Sequence, residues 1–384
     1  MRLLAVCGTA LIIGMAPSGG IRALDVAAPP VSLLALPAGG IQPQAVVDAR
    51  DVLHVLYFDG PPAAGDLFYV RRKPGAAVFS RPLRVNSVPG SALATGSVRG
   101  GQFAIGRNGR IHVVWHGASA IQLGGAARTP VWYSRLNAAG TAFEPQTNVA
   151  VASTGIDGDT VAADDAGNVY IAWHGLGEKS GEANRTLYIA RSRDDGARFA
   201  REEPAANAST GACGCCGLRA IVDPKGTAHI FYRAATEGVH RDATWLTLGP
   251  GNPAPIVLQP WKLEACPMST FAAAADGDGL VAAWETAQQV YYSRLNPSAR
   301  TFTTPIAMEG GGIRKHPSVA ASAAGVVLMA WTEGTGWARG GTMAWELLDR
   351  DGRRLASQSN AAPVPVWGLV AAAARRDGSF VIVH

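Results

Sequence analysis

The chain has 384 residues, and its 16% of charged residues is typical of a globular protein rather than of a disordered one. Its net charge of +5 comes from scattered arginines, and no run of lysine or arginine marks a nucleic-acid-binding tail. We therefore expect one large all-β domain or two ordinary domains, and no nucleic acid as a partner.

The first 23 residues have the pattern of a secretory signal. Arg2 is followed by an apolar run from Leu3 to Met15 and then by small residues up to Ala23. No later stretch approaches the roughly 20 apolar residues of a membrane helix. The sequence therefore predicts an exported protein, periplasmic or secreted, with residues 1–23 as the signal peptide. Residues 24–384 are expected to form a single domain without a membrane span, and the protein is expected to be a monomer.

A unit of roughly 50 residues recurs along the chain that follows. Each copy has an apolar strand, a turn with glycine and a second apolar strand that ends in or near an aromatic residue. The clearest copies are residues 103–117, 161–175, 219–233, 271–285 and 318–333, and weaker ones begin at Ala45 and end at His384. Second hairpins follow at 131–143, 187–199 and 290–302. Repeated antiparallel hairpins without a helical period predict an all-β fold, a β-propeller of four-stranded blades.

The number of blades depends on how the two ends of the chain meet. The repeats supply six full blades and a C-terminal hairpin that lacks two outer strands. The segment VSLLALP, residues 31–37, could supply one of these strands and close the ring. We therefore favour seven blades, with six blades and extra edge strands as the alternative.

One turn carries the motif that recurs in a known group of propellers. Ser192, Asp194, Gly196 and Phe199 match the Asp-box pattern Ser-x-Asp-x-Gly-x-x-aromatic. The chain therefore resembles the sialidase-like, or BNR-repeat, β-propellers. The resemblance implies that binding or catalysis takes place at one axial face, with a glycan or another small molecule as the ligand. Active sialidases carry an Arg-Ile-Pro motif near the N-terminus, and this sequence has none, so we expect no sialidase activity.

In a propeller, the starts of the first strands and the ends of the second strands share one axial face, and the Asp-box turns lie on the other. The residues of the first face are Asp157, Asp159, Cys213, Cys215, Cys216, Cys266 and His316, at starts of first strands, and His116, His174, Arg233, Glu285 and Glu333, at ends of second strands. Trp367, at the start of the last inner strand, and His240, Arg241 and Asp242, in a nearby loop, complete the candidates for ligand binding. An exo-acting glycoside hydrolase, the alternative function, would draw its two carboxylates from Asp157, Asp159, Glu285 and Glu333.

The dipeptide Trp-His ends two successive second strands, at Trp115-His116 and Trp173-His174. The simple interpretation is that each Trp packs between blades while each His meets solvent. If both histidines point toward the axis, they could bind a metal ion or a glycan hydroxyl.

The four cysteines beyond the signal segment should form one cluster. Cys213, Cys215 and Cys216 precede the inner strand of one blade, and Cys266 precedes that of the next. Two structural disulfides are the conservative interpretation, and each pairing would join Cys266 to one of the other three. A soft-metal site is the second interpretation, with copper or zinc held by thiolates and His316 nearby. A redox-active dithiol across Cys213-x-x-Cys216 is the third. No cofactor is certain from the sequence.

Overall fold

The computed structural model describes residues 28–384, except 97–98, 124, 177–178, 206–210, 249–253 and 297–298. The predicted signal segment lies outside the described residues. The described chain forms seven sheets of three to five strands, antiparallel except for one pair of strands, arranged in a ring as a β-propeller, which confirms the predicted fold and blade number. None of the helices in the described part is long and apolar enough to cross a bilayer.

The strands follow the repeat, and we number the blades from the first complete one. Blade 1 has Ile41–Val47, Leu53–Asp59, Asp66–Arg72 and Leu83–Arg84; blade 2 has Gln102–Ile105, Ile111–His116, Val131–Arg135 and Thr147–Asn148; blade 3 has Thr154–Ala163, Val169–Leu176, Arg185–Ser192 and Glu203–Pro204. Blade 4 has Arg219–Val222, Ala228–Arg233, Ala243–Leu248 and Ile256–Gln259; blade 5 has Phe271–Asp276, Gly279–Thr286, Gln289–Asn296, Thr301–Phe302 and Ile306–Ala307; blade 6 has Arg314–Ala321, Val327–Glu333, Gly341–Leu348 and Arg354–Val364. A short hairpin, Ile121–Leu123 with Ala126–Arg128, leaves blade 2, and 3-10 turns lie at Pro37–Gly39, Arg107–Gly109 and Glu182–Asn184.

Blade 7 joins the two ends of the chain. Its strands are Ala371–Ala374, Phe380–Val383 and the N-terminal Val31–Leu34. Val31–Leu34 pairs in parallel with Phe380–Val383. The N-terminal segment therefore closes the ring, as its apolar sequence predicted.

Tryptophans at the ends of the second strands pack between neighbouring blades. Trp115, Trp173, Trp284 and Trp331 are at most 2% exposed. Burial of a large aromatic side chain is worth several kcal/mol, and its truncation to alanine typically costs about 3–5 kcal/mol. The repeated tryptophan therefore holds the blades together, as the first part of the Trp-His interpretation proposed.

The Asp-box turn of blade 3 lies at the end of the blade opposite to Asp157. Ser192 Oγ donates to Asp194 Oδ1 at 2.8 Å and accepts a hydrogen bond from the Gly196 amide at 2.9 Å. The Asp195 amide donates to the carbonyl of Gly167, in the turn between the first two strands. Asp157 pairs with the other end of the second strand, and a Cβ on the neighbouring Gly158 would lie 3.6 Å from the carbonyl oxygen of Cys216. The cysteines and the Asp-box turn are therefore on opposite faces, as predicted.

Candidate functional site

A bulge in the inner strand of blade 3 places two aspartates at the axial face. Around Gly158 the pairing register shifts, so that Asp157 pairs with His174 and Asp159 pairs with Trp173. Gly158 has a φ of 59°, and a Cβ at this position would lie 3.3 Å from His174 Nδ1. Glycine adopts this conformation without steric cost, and it leaves room for the imidazole.

Similar register shifts occur at the starts of the inner strands of blades 1 and 6. There, Gln42 and His316 both have a φ of 53°. A non-glycine residue in this region costs of order 1 kcal/mol or more, and its surroundings must hold it in place. Gln42 Nε2 donates to the carbonyls of Ala94 at 2.7 Å and Trp367 at 3.1 Å. Strained backbone therefore occurs at the axial face, where binding sites of this fold are expected.

Asp157 is held by a guanidinium from a loop. Arg99 donates to both carboxylate oxygens of Asp157, at 2.8 and 3.0 Å. Burial opposes ionisation of Asp157, but the bonds from Arg99 outweigh it and hold the pKa of the carboxyl below its usual value. Asp157 is therefore an ionised, paired carboxylate.

The two Trp-His histidines surround this aspartate instead of meeting solvent. His174 is fully buried, and its Nδ1 lies 3.0 Å from the carbonyl oxygen of Asp157. His116 is 6% exposed. Burial lowers the pKa of each imidazole to about 4, so both are neutral near pH 7. The interpretation that both face solvent is wrong, because the second strands end under the loops of this face.

Two further acids are buried and favour their protonated forms. Asp159 is 4% exposed, its Oδ2 has no hydrogen-bond partner among the described residues, and burial raises its pKa well above the usual value. Glu285 is 1% exposed. Burial raises its pKa to about 7, although Lys315 lies 3.5 Å away and opposes the shift.

The cysteines form the predicted cluster. Cys215 and Cys266 are joined in a disulfide with 6.6 Å between their Cα atoms. Cys213 and Cys216 are free thiols, both fully buried. Cys213 Sγ lies 3.2 Å from Cys216 Sγ and 3.4 Å from Cys215 Sγ. The interpretation as two disulfides is therefore wrong in this structure: Cys266 takes the middle cysteine and leaves the C-x-x-C pair reduced.

A buried arginine sets the charge of the free thiols. Arg233 is fully buried and donates from Nε to Ser269 Oγ at 3.1 Å. Ser269 Oγ in turn lies 3.5 Å from Cys216 Sγ and donates to it. Burial opposes ionisation of Cys216, but its contacts with Cys213, Arg233 and Ser269 lower its pKa to about 7. The pKa of Cys213 is raised by its hydrogen bond with Cys216 and by burial. The pair therefore favours a Cys216 thiolate next to a Cys213 thiol.

The loop with His240, Arg241 and Asp242 forms a wall of the cysteine site. Arg233 donates to the carbonyl of Arg241 at 2.8 Å, and the Arg241 side chain lies 2.8 Å from Glu182. Asp242 Oδ1 accepts the amide of Trp261 at 2.8 Å. His240, in contrast, is exposed and lies 3.6 Å from Glu237. Arg241 and Asp242 therefore stabilise the loop, and His240 faces solvent.

The remaining candidates do not belong to the cluster of cysteines. Glu333 accepts a hydrogen bond from Trp331 Nε1 at 3.0 Å and lies 3.3 Å from Arg314, so it is already paired. Trp367 packs edge-on against Trp337, with 6.1 Å between ring centroids. Trp337 is 55% exposed, while Trp367 is half-buried. His316 lines the central channel. Within the described part of the chain, only the four cysteines bring three or more metal-ligating groups within 4.8 Å of one another.

Sequence reasoning missed four residues that shape this face: Arg99, Ser269, Lys315 and Trp337. Each lies in a loop or next to a bulge, where strand periodicity gives no direction to the side chain. Lys315 precedes the predicted His316, and a fully buried Glu285 could have signalled the need for a cation nearby.

Three solved structures with the same fold are those of enzymes named for their action on carbohydrates. The leech intramolecular trans-sialidase, solved with 2,7-anhydro-Neu5Ac, has a TM-score of 0.51 and 8% identity over 77% of this chain and 65% of its own. An α-L-arabinanase of Penicillium chrysogenum, solved with arabinobiose, has a TM-score of 0.51 and 12% identity over 81% of this chain and 94% of its own. An α-L-arabinofuranosidase of Fusarium graminearum, solved with an iminosugar inhibitor, has a TM-score of 0.52 and 8% identity over 77% of this chain and 88% of its own.

This chain has the fold of the sialidase-like β-propellers. At these identities the likeness concerns the fold, and chemistry has to be argued from the site. No protein-family model matches the sequence, and the search of curated proteins found no significant match.

Proposed function

We propose that this protein is exported and binds a soft metal ion through Cys213 and Cys216 at its axial face, without glycosidase activity. The observation that carries the proposal is the cluster of four sulfur atoms within 4.8 Å of one another, at the end of the propeller where ligands are expected. Thiolates prefer soft ions such as Cu(I) and Zn(II). Burial would protect a bound ion from water and from competing ligands.

The disulfide favours copper over zinc. With Cys215 and Cys266 bonded to each other, two thiols remain. Cu(I) is stable with two thiolate ligands, whereas structural Zn(II) takes four ligands in a tetrahedron. A site for Zn(II) would therefore need the disulfide to be reduced. A bound Cu(I) would supply a soft Lewis acid, and the chain's own part is to keep Cys216 ionised through Arg233.

The same disulfide supports export. Disulfides persist in the periplasm and outside the cell and are rare in a reducing cytosol. The bond between Cys215 and Cys266 links blades 4 and 5 across 51 residues of sequence. In the chain-entropy account, such a loop contributes about 4 kcal/mol to stability.

The distance between the sulfur atoms of Cys213 and Cys215 favours a second function, that of a redox-active dithiol. Cys213 Sγ lies 3.4 Å from Cys215 Sγ, within reach for thiol–disulfide exchange. Cys213 would first pass its proton to the Cys216 thiolate, 3.2 Å away, and attack of the resulting Cys213 thiolate on Cys215 would release Cys266 as a thiolate. Attack of Cys216 on Cys213 would then release Cys215 and leave a Cys213–Cys216 disulfide. Two electrons would pass from the dithiol to the original disulfide, without an external oxidant.

We expect the protein to bind one Cu(I) per chain, measured by competition with a chromophoric Cu(I) chelator under anaerobic conditions. Both Cys213→Ser and Cys216→Ser should abolish this binding because each removes one of two ligands, while His240→Gln, on the same face but exposed, should not change it. Binding that survives in the Cys213/Cys216 double variant would contradict the metal proposal. Disulfide mapping of metal-free protein under anaerobic conditions tests the second function, since exchange yields a Cys213–Cys216 bond together with reduced Cys215 and Cys266, whereas direct oxidation would leave the Cys215–Cys266 bond intact.

Hydrolysis of glycosides is the alternative that we expect to fail. A retaining or inverting glycosidase needs two carboxyl groups facing the substrate. Here Asp157 is bound by Arg99, while Asp159 and Glu285 are buried. Purified protein incubated with sialosides and a panel of aryl glycosides should therefore release no product. Turnover that is lost in Glu285→Gln or Asp159→Asn would overturn this part of the proposal, and the carbohydrate-active neighbours would then become the guide to the substrate.

A further inference from the structure

The central channel of the propeller contains a cation that reaches across it. Arg219 begins the inner strand of blade 4, and its guanidinium donates to Gln44 Oε1 of blade 1 at 3.1 Å. Blades 1 and 4 are three positions apart in a ring of seven. The side chain therefore spans the channel instead of lying along one wall.

This guanidinium has no counter-ion within the described residues. Its ordinary partner is the neutral amide of Gln44, whose Oε1 also accepts the Phe103 amide at 3.1 Å. Burial lowers the pKa of Arg219 to about 10, and no carboxylate opposes that shift. Arg233, by contrast, lies near Glu285 and the Cys216 thiolate, which both favour its charged form. Arg219 is half-buried where it lines the channel. A cation in an apolar environment without a counter-ion is costly, and folded proteins normally pair such a charge.

The space around Arg219 is the size of a small-molecule site. The channel has a volume of about 430 Å³, within the range of ligand pockets. Its walls consist mainly of apolar residues, of which alanines such as Ala162, Ala220 and Ala272 are the most frequent. Arg219 is the one Lys, Arg, Asp or Glu residue among the described residues that line it.

We propose that the channel binds a small organic carboxylate, whose charged group pairs with Arg219 and whose apolar body contacts the apolar walls. A guanidinium matches a carboxylate in charge and in its two-point geometry. Gln44 lines the same space and adds a side-chain amide. The apolar walls favour an organic body over a hydrated inorganic ion. This site lies inside the channel and does not rest on metal binding by the cysteines.

Butyrate is the probe for this site, with butyramide as its neutral analogue and chloride and phosphate as inorganic anions at the same ionic strength. Calorimetric titration and thermal unfolding should show that butyrate binds and stabilises the wild-type protein, while butyramide and the inorganic anions do so much less. Arg219→Met should weaken butyrate binding by roughly 10- to 100-fold, the loss expected for a charged hydrogen bond. The affinity of Arg219→Lys for butyrate should lie between those of wild type and Arg219→Met, because lysine keeps the charge but not the two-point geometry of a guanidinium.

Arg50→Met is the matched control, because Arg50 is an arginine on the surface with 77% of its side chain exposed. It should leave butyrate binding unchanged. If chloride or phosphate stabilises the protein as much as butyrate does, the site is not specific for a carboxylate. If Arg219→Met binds butyrate as tightly as wild type does, Arg219 does not form the site. The absence of any effect of butyrate on the wild-type protein would also contradict the proposal. Since Arg219→Met removes a half-buried charge that has no counter-ion among the described residues, we expect it to fold.

Discussion

Replacement of Arg233 by methionine should destabilise the protein by about 3–5 kcal/mol, the usual cost of removing one partner of a buried charged network. Arg233 donates to Ser269 Oγ and to the carbonyls of Arg241 and Glu285. Methionine fills much of the volume but leaves these acceptors without a donor, next to a buried carboxyl. Chemical denaturation at pH 7 measures the loss.

The same substitution should raise the pKa of Cys216 above its value of about 7. Arg233 stabilises the thiolate directly and through Ser269. The ultraviolet absorbance of the thiolate, followed against pH, gives the midpoint, with Cys216→Ser, which should remove this transition, as the assignment control. Should Arg233→Met fail to fold, Arg233→Lys keeps the positive charge and should leave the midpoint near that of wild type.

Arg219→Met provides the contrast, since it removes a half-buried arginine that has no counter-ion among the described residues. We expect this variant to be at least as stable as wild type in the absence of a ligand. A loss of stability in Arg219→Met as large as that in Arg233→Met would mean that the two guanidinium groups serve the fold in the same way. That result would contradict the roles assigned to both residues.

The architecture could be predicted because it is repeated. Seven copies of one hairpin pattern each need a neighbour to cover their apolar faces, and a ring satisfies all of them. The closing strand Val31–Leu34 followed from the two strands missing at the C-terminus. The proximity of Cys266 to Cys213 followed from one fact, that both precede inner strands of adjacent blades.

The details of the site could not be predicted in this way. Register shifts at Gln42, Gly158 and His316 change the direction of the side chains that follow. The alternation of apolar and polar residues along the strands does not predict these shifts. Arg99 reaches Asp157 from a loop, 58 residues away in sequence. The choice of Cys215 as the partner of Cys266 depends on small differences in position among three neighbouring thiols. These differences cannot be derived from the sequence pattern.

Acid should destabilise the protein through its buried histidines, and His174→Gln should remove part of that sensitivity. The pKa of His174 is about 4 in the folded protein, against about 6.5 in an unfolded chain. A group with a lowered folded pKa binds protons preferentially in the unfolded state once the pH falls below 6.5. Stability is then lost between about pH 6.5 and pH 4, by about 3 kcal/mol for this one residue. Asp157 faces His174 and opposes the shift, while Arg185 strengthens it.

Asp159→Asn should change the pH dependence of stability in the opposite direction to His174→Gln. Both residues lie on the same face, so the two variants test the pH dependence against each other. Burial raises the pKa of Asp159, so the ionised form costs stability as the pH rises above about 3.8, the value of an unfolded aspartate. Asparagine removes that cost, and the variant should be more stable than wild type at pH 7 and indistinguishable from it near pH 4. Denaturation midpoints measured from pH 4 to pH 8 should therefore vary less with pH in His174→Gln and fall more steeply with acid in Asp159→Asn. Parallel curves for the two variants and wild type would mean that neither buried group titrates as the structure requires.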